Sequence, residues 1–350
     1  MNRLFKKYVP ITKAAFQYLK ARTLGRRIPL YVGFFITQKC NLSCIYCFPD
    51  SPQRKNETEF STEEIFRIID ELFAMGTRYI TILGGEPLIR KDFGLIVDYM
   101  ARKNIIVETG TNGYFTSSKI HDLKKLSLVC HSIDGDEAGH DKNRGKGSYR
   151  KIIESLELCM ANKIPVQMRA VFNKNNLGCL EHLLTLAKKY KTSLGLAEQA
   201  VVKSADNEYM MSALELREFW KKVRSYKRLG YPIDKSSALL DRIIEFPLDI
   251  PVDKIFRKGE KASQGYSYTK CSLSSGYMFL DCDGMVYPCA RLFRKYGKSI
   301  YDSGGIQGAW DYLTQNDCLF CRQSIQDLKS YFFSYDIKAL LAVIENFLRK

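Results

Sequence analysis

A regular alternation of apolar and amphipathic segments between residues 31 and 199 constrains the fold most. Apolar runs such as YVGFFIT (31–37) and YITIL (79–83) have the length of buried strands. Amphipathic segments such as 61–76 separate them, where Ser61 followed by Glu64 predicts a capped helix start. Six such β/α units predict a parallel sheet covered by helices. Because a full barrel has eight units, either a partial barrel or an open sheet is expected.

Four polar or glycine-rich loops follow the first four predicted strands. Ligands of parallel α/β proteins gather at the carboxyl ends of the strands, so these loops are expected to share one rim. The loops are KCNLSCIYC (39–47), GGEP (84–87), TGTNG (109–113) and SIDG (132–135). The sequence therefore predicts a binding site at this rim.

The first loop carries three cysteines, Cys40, Cys44 and Cys47. A disulfide would use two of them and leave one over, and a structural zinc site takes four ligands. Three thiolates on a [4Fe–4S] cluster would leave one iron without a protein ligand. The spacing therefore predicts a metal site with one position open to a substrate or cofactor.

The composition supports metal chemistry rather than disulfides. The 350 residues include eleven cysteines, and we find no secretory signal peptide and no apolar run long enough to span a bilayer. This combination predicts a reducing, cytoplasmic location. Single cysteines in apolar or helical contexts are expected in the core, namely Cys130, Cys159 and Cys179.

The cysteine loop, with Tyr46 directly before its third cysteine, resembles the hallmark of the radical S-adenosylmethionine (SAM) superfamily. The resemblance implies a partial (β/α)6 TIM-like barrel whose [4Fe–4S] cluster is held by Cys40, Cys44 and Cys47, with SAM on the open iron. It further implies reductive cleavage of SAM to a 5′-deoxyadenosyl radical, which abstracts hydrogen from the substrate. The implied SAM-binding residues are Tyr46, Gly84, Gly85, Glu86, Ser132, Asp134 and Arg169.

These residues have different implied roles. GGEP resembles the motif that hydrogen-bonds the amino group of SAM, and its two glycines permit close backbone approach. Ser132 and Asp134 resemble the ribose contacts, although a cap or loop hydrogen bond is the alternative. Arg169 is expected either to face the SAM carboxylate or to form a plain salt bridge. HDKNRGKGSY (140–149) resembles a superfamily stretch or forms a solvated loop.

A second group of cysteines lies near the end of the chain. GYMFLDCDGMVYPC (276–289) predicts a β-hairpin with Asp283 and Gly284 in its turn. The spacing of Cys271, Gly284 and Cys289 resembles the Twitch and SPASM extensions of radical SAM enzymes. It implies an auxiliary [4Fe–4S] cluster for electron transfer, whose ligands would be Cys271, Cys289, Cys318 and Cys321. Cys282 is interpreted as a spare thiol, and a structural zinc module is the alternative.

The predicted domain organisation has five parts. They are a basic amphipathic segment (1–30), the barrel core (31–230), a connector (231–270), the small Twitch/SPASM-like hairpin and cysteine-rich module (271–325) and a C-terminal helix (326–350). The first segment has eight Lys or Arg and no acid, within a formal net charge of +16. It is expected either to pack on the body, to make peripheral membrane contact through residues 1–28, or to contact nucleic acid.

The leading hypothesis is a radical SAM enzyme with two [4Fe–4S] clusters. Its expected partners are a small-molecule (sugar or alcohol), peptide or lipid-linked substrate and an external electron donor of the flavodoxin or ferredoxin type. An iron–sulfur electron-transfer protein is the alternative of another class, but it would not explain GGEP or SIDG. Nucleic acid is disfavoured as a partner because the basic residues accompany no recognised RNA-binding motif.

Overall fold

The computed structural model describes residues 23–47, 49, 54, 58–200, 207–261, 268 and 270–322. Strands and helices alternate through its first half, as the sequence predicts. The strands are β1 (Tyr31–Phe35), β2 (Tyr79–Leu83), β3 (Ile106–Thr111), β4 (Leu128–Ser132), β5 (Val166–Phe172) and β6 (Leu194–Glu198). The helices are α1 (Thr62–Met75), α2 (Phe93–Arg102), α3 (Ile120–Leu123), α4 (Glu137–Arg144), α5 (Ser148–Ala161) and α6 (Leu180–Lys189).

The second half begins with two helices and continues with short strands. The elements are α7 (Ala213–Arg228), α8 (Ser237–Glu245), β7 (Ile255–Arg257), β8 (Tyr277–Leu280), β9 (Met285–Tyr287), β10 (Lys298–Ser299), α9 (Gly305–Tyr312) and β11 (Cys318–Cys321). The connector predicted at 231–270 thus contains a helix and a strand, because Leu239, Leu240 and Ile243 give α8 an apolar face that joins the same core as α7. The predicted C-terminal helix and residues 1–22 lie outside the described residues.

The main sheet extends beyond the six predicted strands. Its order is β10-β9-β8-β1-β2-β3-β4-β5-β6, with β1 to β6 parallel to their neighbours. The predicted hairpin forms from β8 and β9, and β8 pairs with β1 in parallel, from Tyr31 opposite Tyr277 to Phe34 opposite Leu280. The hairpin of the C-terminal module therefore continues the barrel sheet. Strands β7 and β11 form a separate antiparallel pair.

The two faces of the sheet differ in chemistry. One face, here called the outer face, contributes apolar residues such as Val32, Ile80 and Val107 to a core shared with α1, α2 and α9. The opposite, inner face is apolar near β1 and β8, where Phe35 and Phe279 pack with residues of the cysteine-rich module. The predicted core cysteines Cys130, Cys159 and Cys179 are all buried, which confirms that prediction.

Local capping explains where the first helix begins. The Ser61 hydroxyl accepts from the Glu64 amide at 3.2 Å, and the Glu64 carboxylate accepts from the Ser61 amide at 2.7 Å. This is the capping box predicted from the sequence. The helix ends at Gly76, whose φ of 110° favours glycine.

Residues 140–149 are not simply a solvated loop. Helix α4 begins after Asp136, whose carboxylate accepts from the Gly139 amide, and it continues to Arg144. His140 and Asn143 are buried on this helix. The high charge of the segment hides the short buried face, which is why the sequence favoured a loop as one alternative. No helix within the described ranges is long and apolar enough to cross a bilayer.

Candidate active site

The cysteine loop leaves the carboxyl end of β1 and brings its three thiols within electrostatic range of one another. Burial raises the pKa of Cys40 to about 11 and that of Cys44 to about 12, while Arg144 acts in the opposite direction on both. Among the described residues, no three His, Cys, Asp or Glu side chains are arranged to hold a single metal ion. Three neighbouring thiols from one loop match the ligand set of a polynuclear cluster that keeps one position open.

The GGEP turn packs its backbone directly against this loop. The Gly85 amide donates to Thr37 O and the Glu86 amide to Lys39 O, both at 2.9 Å. A Cβ on Gly84 would lie 2.5 Å from Thr37 O, and one on Gly85 would lie 2.5 Å from Lys39 O and 2.8 Å from the Cβ of Cys40. Since no real Cβ tolerates such distances, the two glycines are required for the turn to contact the thiol loop.

Replacing Gly85 with alanine is therefore expected to lower the free energy of unfolding by about 1–3 kcal/mol, the usual range for overpacking. It should also reduce the iron retained per chain, since the added methyl group displaces the backbone next to Cys40. Urea unfolding and iron analysis measure the two effects. Gly178→Ala is the matched control, because a Cβ there meets no atom within 4 Å. Equal iron and stability in both variants would contradict the packing argument.

Glu86 links the turn to the end of β3. Its carboxylate accepts from the Asn112 amide at 2.7 Å, the Thr111 hydroxyl at 3.1 Å and the Leu88 amide at 3.2 Å. Burial raises the pKa of Glu86 to about 7, although these hydrogen bonds lower it. The side chain is almost fully buried, so in the structure it organises the rim from within.

Asp134 forms several hydrogen bonds within the protein. It is completely buried and accepts from the Tyr46 hydroxyl, from Arg144 Nε at 2.6 Å and from the Val171 amide at 2.9 Å. The Arg144 guanidinium also lies 5.5 Å from the centre of the Tyr46 ring. These donors satisfy the Asp134 carboxylate within the protein, and its ribose contact stays a prediction.

Arg144 is the functional residue that sequence reasoning missed. It carries a positive charge near the thiols of Cys40 and Cys44, near Glu86 and against Asp134. The 140–149 stretch contained the signal, but nothing in it distinguished Arg144 from its charged neighbours. Asn112, in the TGTNG loop, also reaches the site, with Nδ2 3.9 Å from Cys40 Sγ.

Ser132 and Arg169 occupy adjacent strands. They are register partners in β4 and β5, and Ser132 is half-buried. Arg169 Nη2 lies 3.4 Å from Glu108 Oε1, which is the salt bridge given as one of its two predicted roles. Arg144, not Arg169, is the cation that acts on the thiol loop.

The second cysteine group also assembles. Cys271, Cys289 and Cys318 lie within electrostatic range of one another, and the Cys271 amide donates to Leu319 O at 2.6 Å. Burial raises the pKa of Cys289 to about 12. Cys321 ends the same strand, β11, that begins with Cys318. Cys282 is buried in the main core instead.

A buried ion pair joins the hairpin to the flanks of the first cysteine loop. Asp281 accepts from Gln38 Nε2 at 2.6 Å and lies 2.8 Å from Arg54 Nη2. Gln38 precedes the loop in the sequence and Arg54 follows it. The turn between β8 and β9 therefore fixes both sides of the first thiol site, a contact that the sequence did not predict.

Residues 34–187 match the sequence profile of the Radical SAM superfamily. These residues form a radical SAM domain. They include the cysteine loop, GGEP, SIDG and Arg144, so the match covers the site described above. Members of this superfamily are enzymes that use a [4Fe–4S] cluster and SAM.

Curated relatives match about half of the chain. Mycofactocin maturase MftC of Mycolicibacterium smegmatis is 33% identical over 177 residues, which are 49% of this chain and 44% of MftC. Fe-coproporphyrin III synthase of Methanosarcina barkeri is 32% identical over 160 residues, 45% of this chain and 40% of that protein. The chain therefore spans less than half the length of these relatives. Their different names show that the radical SAM domain alone does not fix the reaction.

A solved structure shows the fold over a larger part of the chain. Streptococcus suis SuiB bound to precursor peptide SuiA has a TM-score of 0.63 at 16% identity, covering 86% of this chain and 69% of SuiB. At this identity the likeness shows the fold alone. It confirms the predicted TIM-like barrel class.

Proposed function

We propose that the chain is a radical SAM enzyme that modifies a peptide, with its first [4Fe–4S] cluster on Cys40, Cys44 and Cys47. The observation that carries the proposal is the GGEP backbone held against a loop of three neighbouring thiols. When bound, the cluster and SAM supply a radical able to abstract hydrogen from an unactivated C–H bond. The protein's residues hold and shield these groups.

The residues around the loop would favour deprotonation of the thiols and shape the cofactor site. Arg144 favours the thiolate forms of Cys40 and Cys44, which metal coordination requires. Gly84 and Gly85 let backbone groups approach the cofactor site closely. Ser132 is proposed as a SAM contact at the rim, whereas Tyr46, Glu86 and Asp134 would support the site through their mutual and backbone hydrogen bonds.

The second cysteine group is proposed to hold an auxiliary [4Fe–4S] cluster on Cys271, Cys289, Cys318 and Cys321. Four thiolates would complete its ligation and favour electron transfer over substrate binding. Its position supports this role, because Cys289 lies in the inner-face cluster at β1, the strand from which the first cysteine loop leaves. A structural zinc ion is the competing occupant.

A peptide is the proposed substrate because relatives with this fold or domain act on or bind peptides. SuiB binds the precursor peptide SuiA, and MftC is described as a maturase. An external flavodoxin-like or ferredoxin-like electron donor, a cytoplasmic location and membrane contact through residues 1–28 also remain proposals. Most of that segment lies outside the described residues.

Metal analysis after anaerobic reconstitution tests the proposal. We expect about eight irons with matching sulfide and no zinc per chain, and release of 5′-deoxyadenosine when SAM and a reductant are added. About four irons with one zinc would assign the second group to structural zinc. Failure of reduced, iron-loaded protein to change its electron paramagnetic resonance (EPR) spectrum on addition of SAM would favour a simple electron carrier instead.

A further inference from the structure

Polar side chains occupy the inner face of the sheet from β1 to β5. We call Tyr31, Thr81, Glu108, Gln167 and Arg169 the lumen cluster. The outer faces of the same strands are apolar and belong to the core. Because buried polar groups destabilise a protein unless they are paired, a polar row here calls for a reason other than packing.

Open space adjoins this cluster. Gly110 lies two residues after Glu108 on β3 and so shares its face, and a Cβ there would meet no atom within 4 Å. The Arg169 side chain is 44% exposed, although β5 lies between β4 and β6. A long side chain that is this accessible from a strand inside the sheet faces open space on the inner face. A Cβ on its register partner Gly195 would lie 3.3 Å from Arg169 Cγ, so glycine there leaves room for the side chain.

The neighbours of Arg169 orient it through one hydrogen bond and one long ion pair. Its Nε donates to Gln167 Oε1 at 3.1 Å. Its Nη2 lies 3.4 Å from Glu108 Oε1, longer than the roughly 2.7–2.9 Å of a tight charged pair.

The Glu108 carboxylate is shared among several donors. Its Oε1 accepts from Tyr31 at 2.9 Å and from Thr81 at 2.7 Å, and its Oε2 accepts from Tyr79 at 2.6 Å. Three hydroxyl groups therefore donate hydrogen bonds to the carboxylate that faces Arg169. The guanidinium keeps the capacity to bind a second anion.

A carboxylate is the anion that suits this position. The planar guanidinium matches a carboxylate with two parallel hydrogen bonds. The formal net charge of +16 also attracts an acidic molecule at long range. Arg169 is the register partner of Ser132, so a group bound to it would lie beside the rim that carries the SIDG loop.

We infer that Arg169 binds a carboxylate of the substrate peptide, from an acidic side chain or the C-terminus, on the open inner face of the sheet. The inference rests on the proposed function in taking the substrate to be a peptide. Glu108 and Gln167 are positioning residues that hold the guanidinium.

Peptide binding to the reconstituted, SAM-loaded protein tests the inference. The probes are an acetylated and amidated pentapeptide with one central glutamate, its glutamine counterpart, and the glutamine peptide with a free C-terminal carboxylate. By calorimetry, at least one carboxylate peptide should bind about tenfold or more tightly than the neutral peptide, as expected for hydrogen bonds to a charged group. The carboxylate peptide that binds more tightly shows whether the carboxylate comes from an acidic side chain or from the C-terminus.

The matched variants are Arg169→Gln and Arg150→Gln. The first removes a positive charge from the inner face of the sheet, and the second removes one from an exposed position on α5. Arg169→Gln should abolish the preference for carboxylate peptides, and Arg150→Gln should keep it. The inference is overturned if the wild-type protein does not distinguish the three peptides or if Arg169→Gln still does.

Two further measurements separate this inference from the proposed function. Phenylglyoxal labelling followed by mass spectrometry should modify Arg169 but spare the largely buried Arg144, and the preferred peptide should protect Arg169. An unlabelled Arg169 would overturn the inference. The SAM-dependent change in the EPR spectrum should be the same in wild type and Arg169→Gln. If wild type shows no such change, the proposed function is rejected, and the labelling result alone then tests whether Arg169 binds a carboxylate.

Discussion

Replacement of Cys44 with alanine is expected to lower the iron content from about eight to about four per chain, the content of one [4Fe–4S] cluster. It should also reduce 5′-deoxyadenosine release by more than about 100-fold, because loss of a residue that supports a metal ligand already costs 10–100-fold. The reason is geometric. Cys44 is one of only three thiols in its loop, and no fourth protein ligand replaces it among the described residues.

Cys159→Ala is the control for this change. Cys159 is fully buried in the core and lies outside both cysteine groups. Its loss should reduce stability through a small cavity and leave the iron content unchanged. Full iron and normal 5′-deoxyadenosine release in Cys44→Ala would remove Cys44 from the cluster and reject the site.

Replacement of Arg144 with glutamine is expected to cost about 3–5 kcal/mol of stability, the usual effect of breaking a buried ion pair. Asp134 is fully buried, and the side chain of Arg144 is 10% exposed, so the variant leaves a carboxylate charge inside the protein. Chemical denaturation measures the loss. Arg144→Gln with Asp134→Asn should recover part of it, because the double variant removes the unpaired charge.

The same variant should change the pH dependence of iron loading. Arg144 lowers the pKa of Cys40 and Cys44 against the rise that burial causes. Without it both pKa values rise further, so fewer thiols are deprotonated at a given pH and half-loading moves to higher pH. Arg150→Gln, at an exposed ion pair, should change neither property by much. A half-loading pH that does not move in Arg144→Gln would contradict the proposed electrostatic role.

The sequence predicted the barrel elements well because their signals are local. The boundaries of β2 agree with YITIL, and α1 begins at the predicted Ser61 cap. Alternating strands and helices leave few ways to build a sheet, so the alternation predicted the α/β class of the fold. The α4 helix was harder to predict, since its buried residues are few and its composition is charged.

The candidate site was predicted in part. The thiol loop and the glycines of GGEP follow from covalent spacing and from the chemistry of each residue. The partners of Asp134 and Arg169 do not, because each pairing joins side chains from different elements. A motif names the residues that gather at a rim without saying which carboxylate pairs with which arginine.

By itself the sequence determined the alternating elements, the two cysteine groups and the close approach permitted at Gly84 and Gly85. Only the tertiary structure decided that β8 joins β1 in parallel, that Asp281 holds the flanks of the first cysteine loop, and that Arg169 is accessible on the inner face. The physical reason is the distance along the sequence between the residues that interact. Periodicity and capping act between residues a few positions apart, whereas these contacts join distant segments whose pairing depends on how the whole chain packs.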